Sequence, residues 1–502
     1  MFSRTIGSRR AFFSKGRLIG IAAVGAVAAV SLLGAIPTAA AAPATPAADS
    51  GFGVTETWHH TLSDKSKEFY FGSPGVATLD NKGPSVIVGN QQGKIYAWHV
   101  GDDGSSVTGW PYVGKTSIQS TPAIAGSGSS ARVLLGTGVS TSPKHGGYLS
   151  IRANGTKSWA AKVYLLPHHR GGTRGVMSSL AVGPIQTGLD VVGGSMGQLQ
   201  GSYKVTNGAK LTGFSWLQAD TNFSSPALAD LNNDGHDEII EGGDSSKGIA
   251  GIETYKNGGH IRILSHHGNS GKKYKNQGLL CQYNTTQVVQ SSPAVGGFLA
   301  GGANGVVVGT GSYFHGASDS DTVIAINTTT CKKMWSVKLD GNSHPSPAIV
   351  DLDGDGTLDV VASSEDGNVY GIVGATGRPM WTYRSSEKSV GSVTTFQAPG
   401  GNYQDVLLPT AHGVIVLDGR DGSKIGQFGN DVRLLNSAAV TADPDGAGIG
   451  ITIAGMGPGG VSKIEHFVVD NSTDVTNVNT YGAWPQFHHD PQLTGYAPFV
   501  AR

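Results

Sequence analysis

Ser224-Ser225-Pro226-Ala227-Leu228 returns as Ser291-Ser292-Pro293-Ala294-Val295, as Pro345-Ser346-Pro347-Ala348-Ile349 and as Ser120-Thr121-Pro122-Ala123-Ile124. Looser copies stand at Pro74, Leu180, Val393 and Ala438, so the unit recurs every 45 to 67 residues from Pro74 onward. Recurrence in this range marks propellers or solenoids, in which no single repeat can bury its apolar face alone. After each opening strand comes a second apolar run, such as Asp359-Val360-Val361-Ala362 or Val306-Val307-Val308-Gly309. A third strand follows, for example Gly367 to Val373, then a glycine turn such as Asn154-Gly155, Asn207-Gly208 or Thr376-Gly377. Such turns readily supply the positive backbone angles of hairpins. The last strand carries an aromatic residue: Trp159, Trp335 or Trp381.

Four antiparallel strands per unit make one propeller blade. No stretch shows sustained helical periodicity, which argues against a helical solenoid. The expectation is an all-β chain forming a single β-propeller of about eight four-stranded blades over residues 55–470. Seven blades is the alternative if one unit is degenerate. The eighth unit lacks an aromatic fourth strand, whereas Thr55-Glu56-Thr57-Trp58-His59-His60-Thr61-Leu62 looks like one placed before the first unit. The N-terminal strand is therefore expected to complete the last blade, closing the ring and removing an exposed edge.

Composition agrees. Of 502 residues, 76 are glycine and only 14 % are charged, which suits short strands and tight turns better than long helices. Ser8-Arg9-Arg10-Ala11-Phe12-Phe13 followed by the apolar stretch Leu18 to Ile36 resembles a twin-arginine export signal, with cleavage after Ala41. An ordinary secretory signal and a retained anchor are the alternatives, and all three place the rest of the chain outside the cytoplasm. Residues 42–54 read as a linker. The leader takes five basic residues and no acidic one from a chain with 36 of each, leaving the mature chain at −5. Nothing there suggests nucleic-acid binding, which needs a clustered basic surface. Cys281 and Cys331, in an oxidising destination, can pair or remain two buried thiols.

Asp230-Leu231-Asn232-Asn233-Asp234-Gly235-His236-Asp237-Glu238 and Asp351-Leu352-Asp353-Gly354-Asp355-Gly356-Thr357-Leu358-Asp359 share one spacing. Oxygen-bearing side chains fall at positions 1, 3, 5 and 9, glycine at 6, and the main-chain carbonyl of His236 or Thr357 at 7. Calcium takes six to eight oxygens, and a tight loop can aim alternate side chains at it. Crowded carboxylates would otherwise repel one another. The expected ligands are Asp230, Asn232, Asp234, His236 and Glu238 in one loop, and Asp351, Asp353, Asp355, Thr357 and Asp359 in the other. The bland alternative is a polar hairpin without metal. An EF-hand is rejected because strands, not helices, flank both loops. Asp80-Asn81-Lys82-Gly83 and Asp443-Pro444-Asp445-Gly446 read as eroded copies.

These loops, each between a Ser-Pro-Ala strand and a Val- or Ile-rich one, resemble the FG-GAP/VCBS repeats of integrin-like propellers. The Trp-bearing strands resemble those of pyrroloquinoline-quinone-type propellers. The first resemblance implies structural Ca2+ between the first and second strands of a blade, stiffening it.

Ligand recognition is expected on the opposite face, among the connections from a fourth strand to the next first strand, because rigid scaffolds carry function on loops. His168, Arg170, Arg174, His266, Lys272 and His344 are the candidate ligand-binding residues, and their basic character suits an anionic or sugar-like partner. Adjacent histidines at His59, His168, His266 and His488 show no metal-ligand spacing. The tail over residues 471–502, with Trp484 to Tyr496, resembles a segment found beside quinoprotein-like repeats and reads as a clasp packed on the propeller.

The function expected is an exported, calcium-stabilised module, monomeric and without a membrane span in the mature chain, binding an extracellular protein or glycan at the cell surface, in the periplasm or outside. A quinone-dependent dehydrogenase is the alternative. It lacks the adjacent cysteine pair that the resemblance would imply, and no nucleophile elbow, His-Glu-x-x-His or phosphate loop is present. The sequence leaves catalysis undecided and favours binding.

Overall fold

The computed structural model describes residues 52–498 except 64–68, 102–103, 142–143, 166–171, 215, 219, 248–255, 269–277, 446–447 and 473–477. Eight separate sheets follow one another along the chain, and strand order within each is almost always sequential. The first blade runs Gly75–Thr78, Pro84–Gly89, Lys94–His99, Tyr112–Val113; the sixth runs Ala348–Val350, Asp359–Ser363, Val369–Ile372, Pro379–Tyr383. First strands touch first strands around the ring, and Ala439–Ala442 of the last blade meets Gly75–Thr78 of the first. Eight blades, not seven, are present.

The eighth blade closes as its composition requires. Val54–Thr61 pairs antiparallel with Val461–Val469, so the chain's first described strand is the outermost strand of its last blade. The third blade departs from the four-strand expectation. It holds three strands among the described residues, and only isolated bridges at Leu199–Leu217 and Tyr203–Lys210 mark where a fourth would lie. Between it and the fourth blade the Phe214 ring lies over Gly268 (φ 64°) and packs with Leu228, Ile239 and Leu264, and a buried polar network lies at the same junction. Glu241 accepts from Gln200 (2.9 Å) and Gln218 (3.0 Å), with Arg262 at 3.5 Å.

The recurring Ser-Ser-Pro-Ala now has a mechanical meaning. Its first serine staples its own blade: Ser120 Oγ accepts from Gly136 N–H, Ser178 Oγ from Gly194 and Ser291 Oγ from Gly309. Its second hydroxyl joins neighbouring blades. Backbone N–H groups donate in turn from Ser437 to Ser73, Ser73 to Thr121, Thr121 to Ser179, Ser179 to Ser225, Ser225 to Ser292, Ser292 to Ser346 and Ser346 to Ser392, each at 2.8 to 3.0 Å. Proline can follow because a strand's first residue has no ladder N–H to supply.

The outer strands are pinned by tryptophan. The indole N–H of Trp58, Trp110, Trp159, Trp335 and Trp381 each donates to a carbonyl of the next blade: Val100, Ala153, Val205, Gly374 and Gly419, at 2.7 to 2.9 Å. For Trp58, Trp159, Trp335 and Trp381 the ring lies over a glycine of that blade. At Gly377 (φ 72°) a Cβ would come within 2.6 Å of the Trp335 ring, so the turn tolerates no side chain there. Between the fourth and fifth blades a disulfide takes this place. Cys281 stands at the bulged register position that carries Trp159, Trp335 and Trp381 elsewhere. It bonds Cys331, whose φ of 59° is that of the glycines beneath the tryptophans.

The C-terminal segment winds inside the ring. Carbonyls of Gly482, Trp484, Pro485, Pro491, Gln492, Thr494 and Gly495 accept from N–H groups of Asp351, Thr395, Val440, Ile124, Val182, Leu228 and Val295, in blade order from the sixth round to the fifth. Tyr496–Ala497 then adds a parallel strand to Ala294–Leu299. Trp484 is 2 % exposed within the largest hydrophobic cluster. The turn passes the first blade without such a bond, leaving a cavity of about 530 Å³ beside Val76, Val440 and Gln486.

Candidate functional site

Because each first strand starts at one face and ends at the other, the two faces are chemically distinct. The residue two positions before each ring hydroxyl stands at the mouth of the central channel: Phe71, Gln119, Met177, Phe223, Gln290, His344, Val390 and Leu435. With the hydroxyl ring below them and Phe487 of the tail as the floor, they enclose a central cavity of about 160 Å³. The Phe487 ring is stacked on His488, which is fixed by bonds to the carbonyls of Leu493 (2.8 Å) and Pro293 (3.0 Å). The cavity is thus an eightfold cup of hydroxyls whose upper wall changes from blade to blade between phenyl, amide, thioether, imidazole and aliphatic groups.

His344 is the titratable member of that wall. Its Nδ1 lies 2.7 Å from Glu365, and its Nε2 is buried without a partner. Burial works against the imidazolium, but the hydrogen bond and charge of Glu365 outweigh it and hold the His344 pKa above its ordinary value. Burial raises Glu365 likewise, and the bond to His344 overturns this and keeps its carboxyl below the usual range. Behind the wall, Gln290 donates to Asp244 (3.0 Å), whose carboxyl is pushed up to about 7 by burial and by Asp220.

Of the six residues expected to form a basic recognition surface three are described, and these stand in three different connections between strands. His168, Arg170 and Lys272 lie outside the described residues. The Arg174 guanidinium donates to the Val163 carbonyl of its own segment. His344 lies in a fourth-to-first-strand connection as expected, but its charge is matched by Glu365. His266 is misplaced by the sequence reading. It falls between the third and fourth strands of the fourth blade, Gly258–Leu264 and Leu279–Thr285. Hairpin turns of that kind share the face of the acidic loops, and His266 packs against one of them. The channel-wall residues were missed, although the repeat marks them: each stands three residues before the proline or its equivalent.

Both acidic loops lie between the first and second strands of their blades, as the resemblance implies. In the second, the Asp351 carboxylate accepts from Gly354 (2.9 Å) and Gly356 (3.1 Å), and Asp353 accepts from Asp355 (3.2 Å). Oxygens of Asp351, Asp353 and Asp355 lie within 4.8 Å of one another. Asp359 closes the loop with Oδ2 buried and unpartnered, its carboxyl pushed up to about 7 by burial and by the three other aspartates. Crowded carboxylates, buried at Asp351 and Asp359 and open to solvent at Asp353 and Asp355, with one orphaned oxygen, suit a hard cation, so the donor set fits Ca2+. Thr357 donates its hydroxyl to Asp355. In the first loop Asp230 accepts from Asp234 (3.1 Å) and Gly235 (2.8 Å), Asn232 from Asp234 (2.9 Å), and Glu238 is pushed up to about 7, chiefly by burial. His236 turns its ring onto His266, 4.7 Å between centroids.

Comparison with known proteins agrees with the architecture. Residues 278–429, from the last strand of the fourth blade through the seventh, match the family described as outer membrane protein assembly factor BamB. BamB from Moraxella catarrhalis superposes with a TM-score of 0.52 at 15 % identity, covering 83 % of this chain and all of that one. Sqt1 of Saccharomyces cerevisiae superposes with 0.54 at 11 % identity, over 82 % and 98 %. At these identities the likeness is one of fold. A lambda-carrageenase from a Pseudoalteromonas species is 27 % identical over 111 residues, 20 % of this chain and 12 % of that protein's length. The quinoprotein-like half of the resemblance is supported by these matches; the integrin-like half rests on the two acidic loops alone. Among the described residues no helix is long and apolar enough to cross a membrane.

Proposed function

We propose that this chain is an exported binding module whose recognition site is the central cup, taking the end of an extracellular glycan or an uncharged loop of a partner protein. The observation that carries the reading is the floored cavity itself. Its eight hydroxyls, the amides of Gln119 and Gln290 and the rings of Phe71, Phe223 and Phe487 combine hydrogen-bonding groups with apolar faces, as small-ligand sites do. A hydroxyl-rich ligand suits it better than a strongly anionic one, because Glu365 lines the cavity and Asp244 stands behind Gln290, with no unmatched cation described beside them. The name of the carrageenase relative is compatible with a polysaccharide, over a short segment only. In this reading Ca2+ at Asp351, Asp353, Asp355 and Asp359 is structural, on the face opposite the cup.

The test is a glycan array and a surface pull-down with the mature chain, repeated with F223A and Q290A. Binding that falls tenfold or more in both variants, with melting temperature unchanged, is the expected result; binding indifferent to both would remove the cup as the site. The dehydrogenase alternative requires turnover of an alcohol by the quinone-reconstituted chain in a dye-linked assay. Its disulfide joins the outer parts of two blades and does not line the cup.

A further inference from the structure

We infer that the first acidic loop is a mixed nitrogen–oxygen site for a borderline divalent metal such as Zn2+, chemically different from the all-oxygen loop at Asp351–Asp359. The proposal does not depend on what the cup binds. Its ligands are Asp234, Glu238 and His266, whose donor atoms all lie within 4.8 Å of one another. Sequence spacing alone names the first two; the third arrives from a different turn of the same blade.

Three observations carry it. The Nδ1 of His266 lies 3.6 Å from Asp234 Oδ2 and 3.5 Å from Glu238 Oε1, yet it is buried and has no hydrogen-bond partner. Those separations are long for a direct hydrogen bond. They match two donors sharing one ion, since metal–ligand bonds of about 2.0–2.2 Å at a tetrahedral angle put donor atoms roughly 3.3–3.5 Å apart. Second, the site is enclosed and its groups are held. Residue exposure is 1 % for Glu238 and 7 % for His266, while Asp234 faces solvent and leaves room for water as a further ligand. Glu238 is oriented through Leu231 N–H (3.1 Å) and Asn232 Nδ2 (3.3 Å), and the His236 ring stacks on His266. Third, the donor types differ between the loops. Calcium takes oxygen ligands, whereas imidazole suits zinc and its neighbours. The cluster in the second loop consists of aspartates alone.

The experiment uses the full mature chain, stripped of metal and titrated separately with Zn2+ and Ca2+ by calorimetry, beside H266Q, E238Q and D351N. One Zn2+ should bind the parent chain and D351N alike, and its affinity should drop at least ~100-fold in H266Q and E238Q, more than losing an outer-sphere partner costs. Ca2+ binding should be lost in D351N and retained in H266Q. Co2+ should give visible d–d absorption in the parent chain that Zn2+ abolishes. This readout needs no variant and so stands if H266Q folds poorly. The chain has 16 histidines, so the site is assigned by the loss of affinity in H266Q or E238Q, and the Co2+ spectrum reports the coordination itself. Zn2+ affinity unchanged in a folded H266Q, no stoichiometric Zn2+ or Co2+ binding, or Ca2+ filling both loops would each overturn the proposal. A plain His266 ion pair with Asp234 and Glu238 predicts the second of these.

Discussion

At the scale of single residues, the hydroxyl that follows the first serine of each repeat does more than mark a strand start. By accepting the preceding blade's N–H at seven of the eight junctions it links the separate sheets around the cup. A net value of about 0.5–1.5 kcal/mol for each such bond is ordinary, and their worth is geometric: they fix where the wall residues two positions earlier stand. His344 is the wall residue whose state depends on pH. Its folded pKa is raised, so the stability it adds is complete below its unfolded value near 6.5 and is lost as pH rises through the folded pKa. Glu365 is depressed, so its share is present above its unfolded value near 4.5 and is lost as pH falls through its folded pKa. The pair should therefore stabilise most in mildly acidic solution. The melting temperature of the parent chain minus that of E365Q should be largest between about pH 5 and 6.5 and shrink towards pH 8. A difference that stays flat over that range would show that His344 is neutral throughout.

At the scale of elements, one structural position is filled in different ways. Five outer strands hold a tryptophan over the next blade's turn, one holds Cys281, and in the seventh blade Gly426 occupies the position and is covered by Phe52. All solve one problem: the outer parts of wedge-shaped blades diverge, and something large or covalent must span the gap. At the third-to-fourth junction the Phe214 ring covers Gly268, and in the polar network around Glu241 His260 keeps both ring nitrogens unpartnered. The disulfide should thus be a clamp rather than a redox centre. C281A with C331A should lower stability by about 2–4 kcal/mol, read as a lower melting temperature, while leaving ligand binding at the cup intact. Loss of binding without loss of stability would contradict this placement.

For the whole molecule, closure is achieved twice. Val54–Thr61 completes the eighth blade from outside, and the tail threads the inner rim of seven blades from Asp351 round to Val295. The tail also brings Phe487 beneath the cup, so it is floor as well as strap. Ending the chain after residue 480 would remove seven inter-element hydrogen bonds and the buried Trp484, whose loss alone costs about 3–5 kcal/mol as an alanine substitution. That truncation should yield insoluble or early-melting protein. W484A should melt lower but remain folded and should weaken binding at the cup, because the segment positioning Phe487 is loosened. A truncated chain with unchanged melting temperature would show the tail to be dispensable.

Periodicity pointed to eight blades while leaving seven open, and it carried the order of strands, the closing role of the Trp58 strand and the position of both acidic loops. Each of these is a local pattern repeated, and local pattern is what a chain carries in its order of residues. Two determinants escaped it. The cup is made from eight residues about fifty positions apart, each unremarkable alone, and only the ring brings their side chains to a common axis. His266 looked like part of a recognition loop because a long insertion hid which strands it joined. Hydrogen-bonded pairing of Gly258–Leu264 with Leu279–Thr285 places it on the opposite face, beside Asp234 and Glu238. Whether an acidic loop receives a nitrogen donor depends on which turn packs against it, and packing between turns is decided by the tertiary structure.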